Sequence, residues 1–385
     1  MNKDKNGLNN LIVFDRLEIG PVKLERNRLT APYTIHNGDK QTTSDLIYKY
    51  EQDGFDPDDP SDKNLGVMIA AQAALNYGLF FREIVFSGNF DSQDRRFITD
   101  MIENTSREIY VNKILKDNPF ITGNLQNFPV YHAKRYTRAS LIFKNPEEKR
   151  PRVPWKFWQV DNNRHAILSS GGKDSLLTYG LLHEIGKEVY PVFINESGRH
   201  WFTALNAYRY FSTNVPNTSR VWTNADRLFN RMLKQFPFIR KDYNRLRADI
   251  YPIRLWTVAV FLFGALPIMK KSGIGRLLIG DEYDTSIRST YEGITNYEGL
   301  YDQSIYFDKA LSRYFLAKGW AVSQFSIVRH LSELLIEKIL VERYPKLQKQ
   351  QLSCHAAHKE GGRIKPCGQC EKCRRIIGML SALDA

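Results

Sequence analysis

The two halves of the chain differ in how apolar and polar positions alternate. Over the first 140 or so residues, apolar positions recur at strand spacing and then at helix spacing, between turn-rich stretches. The predicted elements are, in chain order, strands over 11–17 and 21–35, a tight turn at Asn37-Gly38, a helix over 65–77, a strand over 83–86 and a helix over 92–115. This pattern predicts a mixed α and β domain.

The second half alternates short apolar strands with helical segments. Strands are predicted over 165–168, 189–194, 219–223, 276–279 and 321–325. Such alternation predicts an α/β fold with a parallel, doubly wound sheet, which binds ligands at the carboxyl ends of its strands. The longest apolar run, over 255–269, contains Gly264 and Pro267 and is shorter than the ~20 residues of a bilayer span, so it predicts a buried helix and no membrane role.

A charged segment with three prolines, over 144–154, separates the two patterns. Its composition disfavours helix and central strand, so we predict a linker there and a domain boundary near residue 155. The predicted organisation is an accessory or partner-binding domain over 1–155, a catalytic domain over 156–350 and a metal-binding segment over 351–385 that packs on the catalytic domain.

Composition narrows the class of protein. With 385 residues, 42% apolar and 25% charged, the chain has the balance of a folded protein of about two domains. The N-terminus shows no apolar signal segment, which favours a cytoplasmic location. The formal net charge of +13 suits a nucleic-acid partner, but a solvated basic surface or one adapted to ATP explains it equally well.

The strongest chemical signal is a glycine-rich loop over 170–175. An apolar strand over 166–169 leads into it, and Leu177 and Leu181 continue at helical spacing, so the glycines occupy a strand-to-helix turn. The first turn of a helix has unpaired N–H groups and the positive end of the helix dipole. The loop is therefore predicted to bind phosphate.

The residues of the loop have different expected roles in phosphate binding. Gly171 and Gly172 let the backbone approach a phosphate closely. Ser170 and Ser175 add hydroxyl donors, and Lys173 adds a mobile positive charge. A tight anion-binding turn without chemistry is the alternative.

The loop lacks the spacing of a Walker motif and resembles the Ser-Gly-Gly-x-Asp-Ser signature of PP-loop ATP pyrophosphatases, which have the adenine nucleotide alpha-hydrolase-like fold. The resemblance implies that residues 170–175 grip the pyrophosphate of ATP while AMP is transferred. Asp174 is acidic beside phosphate, so Mg²⁺ binding or loop geometry suits it better than phosphate contact. Asn195, at the end of the next strand, lies where such folds hold the nucleoside, although an ordinary turn is an equal alternative.

A cysteine cluster lies near the C-terminus. The chain has four cysteines, whose spacing lets all of them face one tetrahedral ion, and these are Cys354, Cys367, Cys370 and Cys373. Thiolates are soft ligands, so Zn²⁺ is predicted, with an iron–sulfur cluster as the alternative. His355 and His358 are alternative fourth ligands in place of Cys354. Four thiolates leave no open position on the metal, which indicates a structural role.

The loop and the motif over 367–375 together are similar to 7-cyano-7-deazaguanine synthase of queuosine-precursor biosynthesis, over about 160–385. The resemblance implies that ATP activates the carboxylate of 7-carboxy-7-deazaguanine, that ammonia attacks it, and that the four cysteines bind zinc. It also implies a substrate pocket near 279–282. There Asp281 is expected as a general base or metal ligand, with a turn carboxylate as the equal alternative.

The N-terminal domain departs from the compact synthase and suggests a larger partner. Two-domain relatives occur in bacterial antiphage defence operons, where the activated acyl group would be joined to a protein amine. Two other functions stay open: a tRNA-modifying PP-loop enzyme that adenylates a base, and a non-catalytic scaffold that senses ATP. Sulfur insertion is disfavoured because the metal site uses every cysteine, unless the metal centre is a cluster with one open iron. A homodimer is expected by analogy with the fold alone.

Overall fold

A computed structural model describes residues 7–144, 157–198, 200–246 and 250–385 of the chain. The predicted linker over 144–154 lies outside these ranges, apart from Lys144 at the end of a strand.

The described strands are β1 (Phe14–Ile19), β2 (Lys23–Glu25), β3 (Arg28–Asn37), β4 (Lys40–Tyr50), β5 (Phe81–Ser87), β6 (Ser140–Lys144), β7 (Asp161–Leu168), β8 (Glu188–Asn195), β9 (Ser219–Thr223), β10 (Ile274–Leu278), β11 (Ser289–Tyr291), β12 (Ile294–Asn296), β13 (Ser323–Phe325), β14 (His358–Glu360) and β15 (Arg363–Lys365). The α-helices are α1 (Pro60–Ala71), α2 (Ser92–Ile109), α3 (Lys173–Glu184), α4 (His200–Asn214), α5 (Ala225–Leu233), α6 (Val258–Ser272), α7 (Ile305–Ala317), α8 (Glu333–Arg343), α9 (Pro345–Gln348) and α10 (Glu371–Ala382).

The strands predicted in the second half form a parallel sheet, as expected. Its order is β13-β10-β7-β8-β9, and each neighbouring pair is parallel. The strand order reverses between β7 and β10, which is where a doubly wound sheet opens a crevice for ligands. The glycine-rich loop follows β7 and the segment 279–282 follows β10, so both predicted sites lie at this crevice.

The N-terminal elements continue the same sheet. The stretch 21–35, predicted as one strand, forms two, because a turn at Arg26-Asn27 folds β2 back on β3. Strand β4, which the sequence pattern did not reveal, pairs with β3 on one side and antiparallel with β9 on the other. Eleven of the described strands therefore form one sheet across both predicted domains, and the division near residue 155 stays a prediction.

The apolar run over 255–269 forms the buried helix α6, as predicted. Its first turn is capped by the carboxylate of Asp302, which accepts hydrogen bonds from the N–H groups of Thr257 and Val258 at 2.9 and 2.8 Å. Tyr48 and Tyr50 of β4 donate to carbonyls of this helix. Within the described ranges, no helix is long and apolar enough to cross a membrane.

Candidate nucleotide and metal sites

The loop after β7 adopts the predicted strand-to-helix turn. Gly171 has φ +77°, and a Cβ there would lie 2.9 Å from the carbonyl oxygen of Thr203, so both conformation and space require glycine. Gly172 is the N-cap of α3, and no described side chain caps that helix. The first-turn N–H groups of α3 therefore lie at the crevice in the arrangement that binds anions.

The two loop serines have different surroundings. Ser175 is buried, and its hydroxyl donates to the carbonyl of Gly172 at 3.0 Å. Ser170 is exposed, and its Oγ accepts a long hydrogen bond of 3.4 Å from the N–H of Gly172. Ser175 thus maintains the shape of the turn, while Ser170 stands at its mouth.

Lys173 lies among three carboxylates. Its Nζ is 2.8 Å from Asp174, 2.9 Å from Glu282 and 3.3 Å from Glu333, and the side chain is 6% exposed. Burial alone would lower the pKa of Lys173, but Asp174 and Glu282 outweigh it and the net shift is upward. The lysine is therefore charged and fully paired within a net acidic cluster.

Sequence reasoning placed Glu282 in the expected pocket segment over 279–282 without giving it a role, and it missed Glu333. Glu282 reaches the loop because Gly280, just before it, lets the end of β10 touch α3: a Cβ at Gly280 would lie 2.6 Å from the carbonyl carbon of Asp174. Burial, followed by the charge of Asp174, raises the pKa of Glu282. The position of Glu282 next to Asp281 was the available signal that it belongs to the site. The sequence around Glu333 indicates the start of a helix and gives no sign of contact with the loop.

Asp281 is buried and pairs with an arginine of the protein interior. Its carboxylate is buried and lies 3.4 Å from Arg329, which also pairs with Asp308 at 2.5 Å. Burial raises the pKa of Asp281 well above its ordinary range, while Arg329 opposes the shift. The catalytic role of Asp281 stays a prediction, and the contacts show an internal ion pair.

The end of β8 carries a second perturbed carboxyl group. Asn195 accepts a hydrogen bond of 3.0 Å from the N–H of Ser197, which forms a turn. The next residue, Glu196, is 3% exposed, and burial raises its pKa to about 7. Its Oε1 has no hydrogen-bond partner in the part of the chain that the structure describes.

A partly open cavity with an accessible volume of about 80 Å³ lies beyond this strand end. Arg254 lines it, stacks 3.7 Å from the ring centre of Tyr251 and pairs with Asp226 at 3.2 Å. Aromatic walls with a few charged groups are typical of a small-molecule pocket. The sequence pattern had indicated no pocket here.

The four cysteines come together as predicted. Their sulfur atoms all lie within 4.8 Å of one another, and the Cys370 Sγ is 3.9 Å from that of Cys354 and 3.5 Å from that of Cys373. Backbone N–H groups point at the sulfurs, including that of Cys367, which donates to Cys354 at 3.2 Å. His358 is exposed, and its Nε2 lies 3.4 Å from the Oε2 of Glu360. Among the described residues, the group that could hold a metal ion consists of the four cysteines and includes neither histidine.

The four thiols differ in how readily they ionise. Backbone N–H donors from Gln369 and Cys370 lower the pKa of Cys367 to about 6, which favours the thiolate that binds metal, whereas burial raises the pKa of Cys354 and of Cys373. Cys370 is the N-cap of α10, so the cluster lies at the positive end of that helix. The residues present therefore fit a metal bound by four thiolates.

Comparison with known proteins gives a remote structural likeness. No protein-family model matches the chain, and no curated protein matches it. Among solved structures it is similar to the U34-tRNA thiolase NcsA from Methanococcus maripaludis with its [4Fe-4S] cluster, at 12% identity and a TM-score of 0.31, over 75% of this chain and 74% of that chain. A likeness this low adds no argument about function.

Proposed function

We propose that this chain is an ATP-consuming enzyme that adenylates a carboxylate and passes the acyl group to ammonia or an amine. The observation that carries the proposal is the uncapped start of α3 at the strand-order reversal, formed by Gly171 and Gly172 and flanked by Lys173. A turn of this kind holds phosphate groups through backbone N–H groups.

The reaction has two steps, adenylation of the acid and transfer of its acyl group to the amine. The carboxylate oxygen attacks the α-phosphorus of ATP, and the bond to the β-phosphate breaks with release of pyrophosphate. The amine nitrogen then attacks the acyl carbon, the bond to AMP breaks, and the amine loses a proton. The N–H groups of the loop hold the leaving pyrophosphate, and Lys173 balances its charge.

The acidic cluster fits a divalent cation. Asp174 and Glu282 are oxygen ligands of the kind that Mg²⁺ prefers, and ATP brings more negative charge to a site that is already acidic. Bound Mg²⁺ would screen this repulsion and polarise the phosphate oxygens. Lys173 would then be free to turn from the carboxylates to the phosphate chain.

The proposed acid is 7-carboxy-7-deazaguanine or a close relative, on the strength of the motifs over 170–175 and 367–375. The cavity lined by Tyr251 and Arg254 lies at the same edge of the sheet and offers aromatic walls to a flat ring. The acceptor is ammonia or a protein amine, and in the second case the N-terminal segment would bind the acceptor protein.

Zinc is the proposed metal. Zn–S bonds of about 2.3 Å place sulfur atoms about 3.8 Å apart around one tetrahedral ion, close to the 3.5–3.9 Å between neighbouring cysteine sulfurs. In a four-iron cluster each thiolate binds a separate iron, so the sulfurs would lie further apart. Metal analysis of purified protein decides between them.

The test of function is incubation with α-labelled ATP, Mg²⁺ and 7-carboxy-7-deazaguanine, with and without ammonium, followed by mass analysis of products. AMP together with the amide supports the proposal, as does the nitrile, which forms when a second ATP activates the amide oxygen so that it leaves with AMP. AMP that depends on the acid but leaves no small product points to a protein acceptor. AMP that requires added tRNA instead favours the tRNA-modifying alternative, and bound ATP without AMP favours the sensor.

The variant Lys173→Gln tests, in the same assay, whether the loop is the site of the reaction. It removes the charge but keeps the length of most of the side chain, so AMP formation should fall at least tenfold if the loop is the site. Unchanged turnover by this variant would place the reaction elsewhere and contradict the proposal.

A further inference from the structure

The cysteine segment touches the phosphate loop directly. Two residues before Cys354, the N–H of Leu352 donates to the carbonyl of Gly171 at 3.1 Å. This bond joins the start of the metal-binding segment to the one loop residue with a left-handed conformation. Displacement of residues 352–354 would therefore remove a support of the loop.

A second route runs through charged side chains. Arg375 lies two residues after Cys373, and its Nε is 3.2 Å from the Oε1 of Glu333. The same oxygen is 3.3 Å from the Nζ of Lys173. The Glu333 carboxylate therefore pairs with both the arginine of the cysteine segment and the lysine of the phosphate loop.

A third route uses helix α4. The side-chain amide of Asn206 donates to the carbonyl of Ile364 at 2.8 Å and accepts from its N–H at 3.1 Å, which ties strand β15 to α4. The backbone of the same helix lies against Gly171 at Thr203 and Ala204. The cysteine segment thus supports the loop both directly and through its neighbour.

We infer that the metal-bound cysteine segment positions the phosphate loop, and that Arg375 is a positioning residue that controls how strongly Lys173 is held by Glu333. The inference rests on the proposed binding of ATP at this loop. Without Arg375, Lys173 is the remaining cation close to Glu333 among the described residues, so the lysine is less available to phosphate. The metal centre therefore acts on nucleotide affinity without contacting the nucleotide.

The test compares Arg375→Gln with Arg374→Gln, a neighbouring exposed arginine of the same helix, by equilibrium binding of Mg·ATP and by metal content. Because the Arg375–Glu333 pair is partly exposed, we expect ATP to bind about three- to fivefold more weakly to Arg375→Gln. Arg374→Gln should bind like the parent, and Arg375→Lys should recover part of the loss. The rate at saturating ATP should stay within about twofold, because the change acts on binding.

A double-variant cycle separates positioning from general damage to the fold. In a Glu333→Gln background, the further change Arg375→Gln should have no effect on ATP affinity, because the carboxylate through which it acts is gone. An equal loss in both backgrounds, or no loss in the parent background, overturns the inference. If Arg375→Gln loses metal, the same cycle is measured with Arg375→Lys at full metal content, and that result decides whether the inference holds. Absence of ATP binding by the parent protein would instead reject the proposed function itself.

Discussion

At the scale of residues, neighbours in sequence have separate parts in the site. Asp281 turns inward to Arg329, whereas Glu282 turns outward to Lys173. Both follow strand β10, but their carboxylates pair with different cations. The carboxylate that meets the phosphate loop is therefore the one next to the predicted residue.

Gly280 provides a steric test of the crevice. In Gly280→Ala the new methyl group would lie 2.6 Å from backbone and Cβ atoms of Asp174, so the start of α3 must shift. We expect ATP affinity to fall at least tenfold, with a loss of about 1–3 kcal/mol in the free energy of unfolding. The control Gly378→Ala meets no atom within 4 Å and should leave binding unchanged. Normal ATP affinity in Gly280→Ala would show that this contact is irrelevant to the site.

Glu196 gives a prediction about pH. Its pKa is raised from 4.5 to about 7 by burial, so the folded state holds the proton more tightly than the unfolded chain does. The contribution of Glu196 to the free energy of unfolding is fully present below about pH 4.5 and is lost as the pH rises through 7. Glu196→Gln should therefore be more stable than the parent at pH 8, by up to about 3 kcal/mol, and close to it at pH 5.

Denaturant unfolding at the two pH values measures this difference. Lower stability of Glu196→Gln at pH 8 would mean that the charged carboxylate has a favourable partner, such as Arg254. A variant that is more stable but binds the acid more weakly would show that the buried carboxyl group serves function at the expense of stability.

At the scale of elements, the cysteine segment is held by few apolar contacts. Its small hydrophobic cluster contains Leu352 and Ile364 together with the cysteines. Strands β14 and β15 and helix α10 have exposed residues along most of their length. A metal ion bound by the four cysteines would therefore supply much of the stability of this segment.

Removal of the metal by a chelator should open residues 352–376 while the central sheet stays folded. Hydrogen exchange should increase at β15 and the first turn of α10, and change little at β7 and β8, which serve as internal controls. ATP affinity should fall as well, since Leu352 and Arg375 no longer hold their partners at the loop. Unchanged exchange in the metal-free protein would contradict a structural role for the metal.

At the scale of the whole molecule, one sheet and one large core join the two halves. Strand β4 pairs with β9, and helix α6 packs on both α1 and the parallel strands. A buried ion pair of 2.9 Å also joins Asp94 of α2 to Lys318 just after α7. Buried charges of this kind are stable only when both partners are present.

Separation of the halves should therefore expose large apolar surfaces. We expect residues 151–385 expressed alone to be insoluble or to bind a hydrophobic dye, because the edge of β9 and one face of α6 lose their cover. Coexpression with residues 1–150 should restore solubility and a complex of the two pieces. A soluble, cooperatively folding piece 151–385 would instead establish an independent domain.

Much of the fold and site could be predicted because the signals are local. The strands of the parallel sheet, the turn over 170–175 and the meeting of four cysteines each depend on residues close in sequence. Strand β4 was missed because its first half is exposed and polar, which hides its pattern. The acidic cluster was missed because Lys173 and Glu282 lie 109 positions apart, and no spacing rule connects them.

The sequence by itself determined the glycine-rich strand-to-helix turn and the cluster of four cysteines, because backbone conformation and ligand spacing are properties of short segments. Only the tertiary structure decided how the two are connected. It paired β4 with β9, brought Glu282 and Glu333 to Lys173, and placed Arg375 beside Glu333. Such contacts arise from packing of distant segments around a common core, where each charge takes the partner that burial leaves within reach.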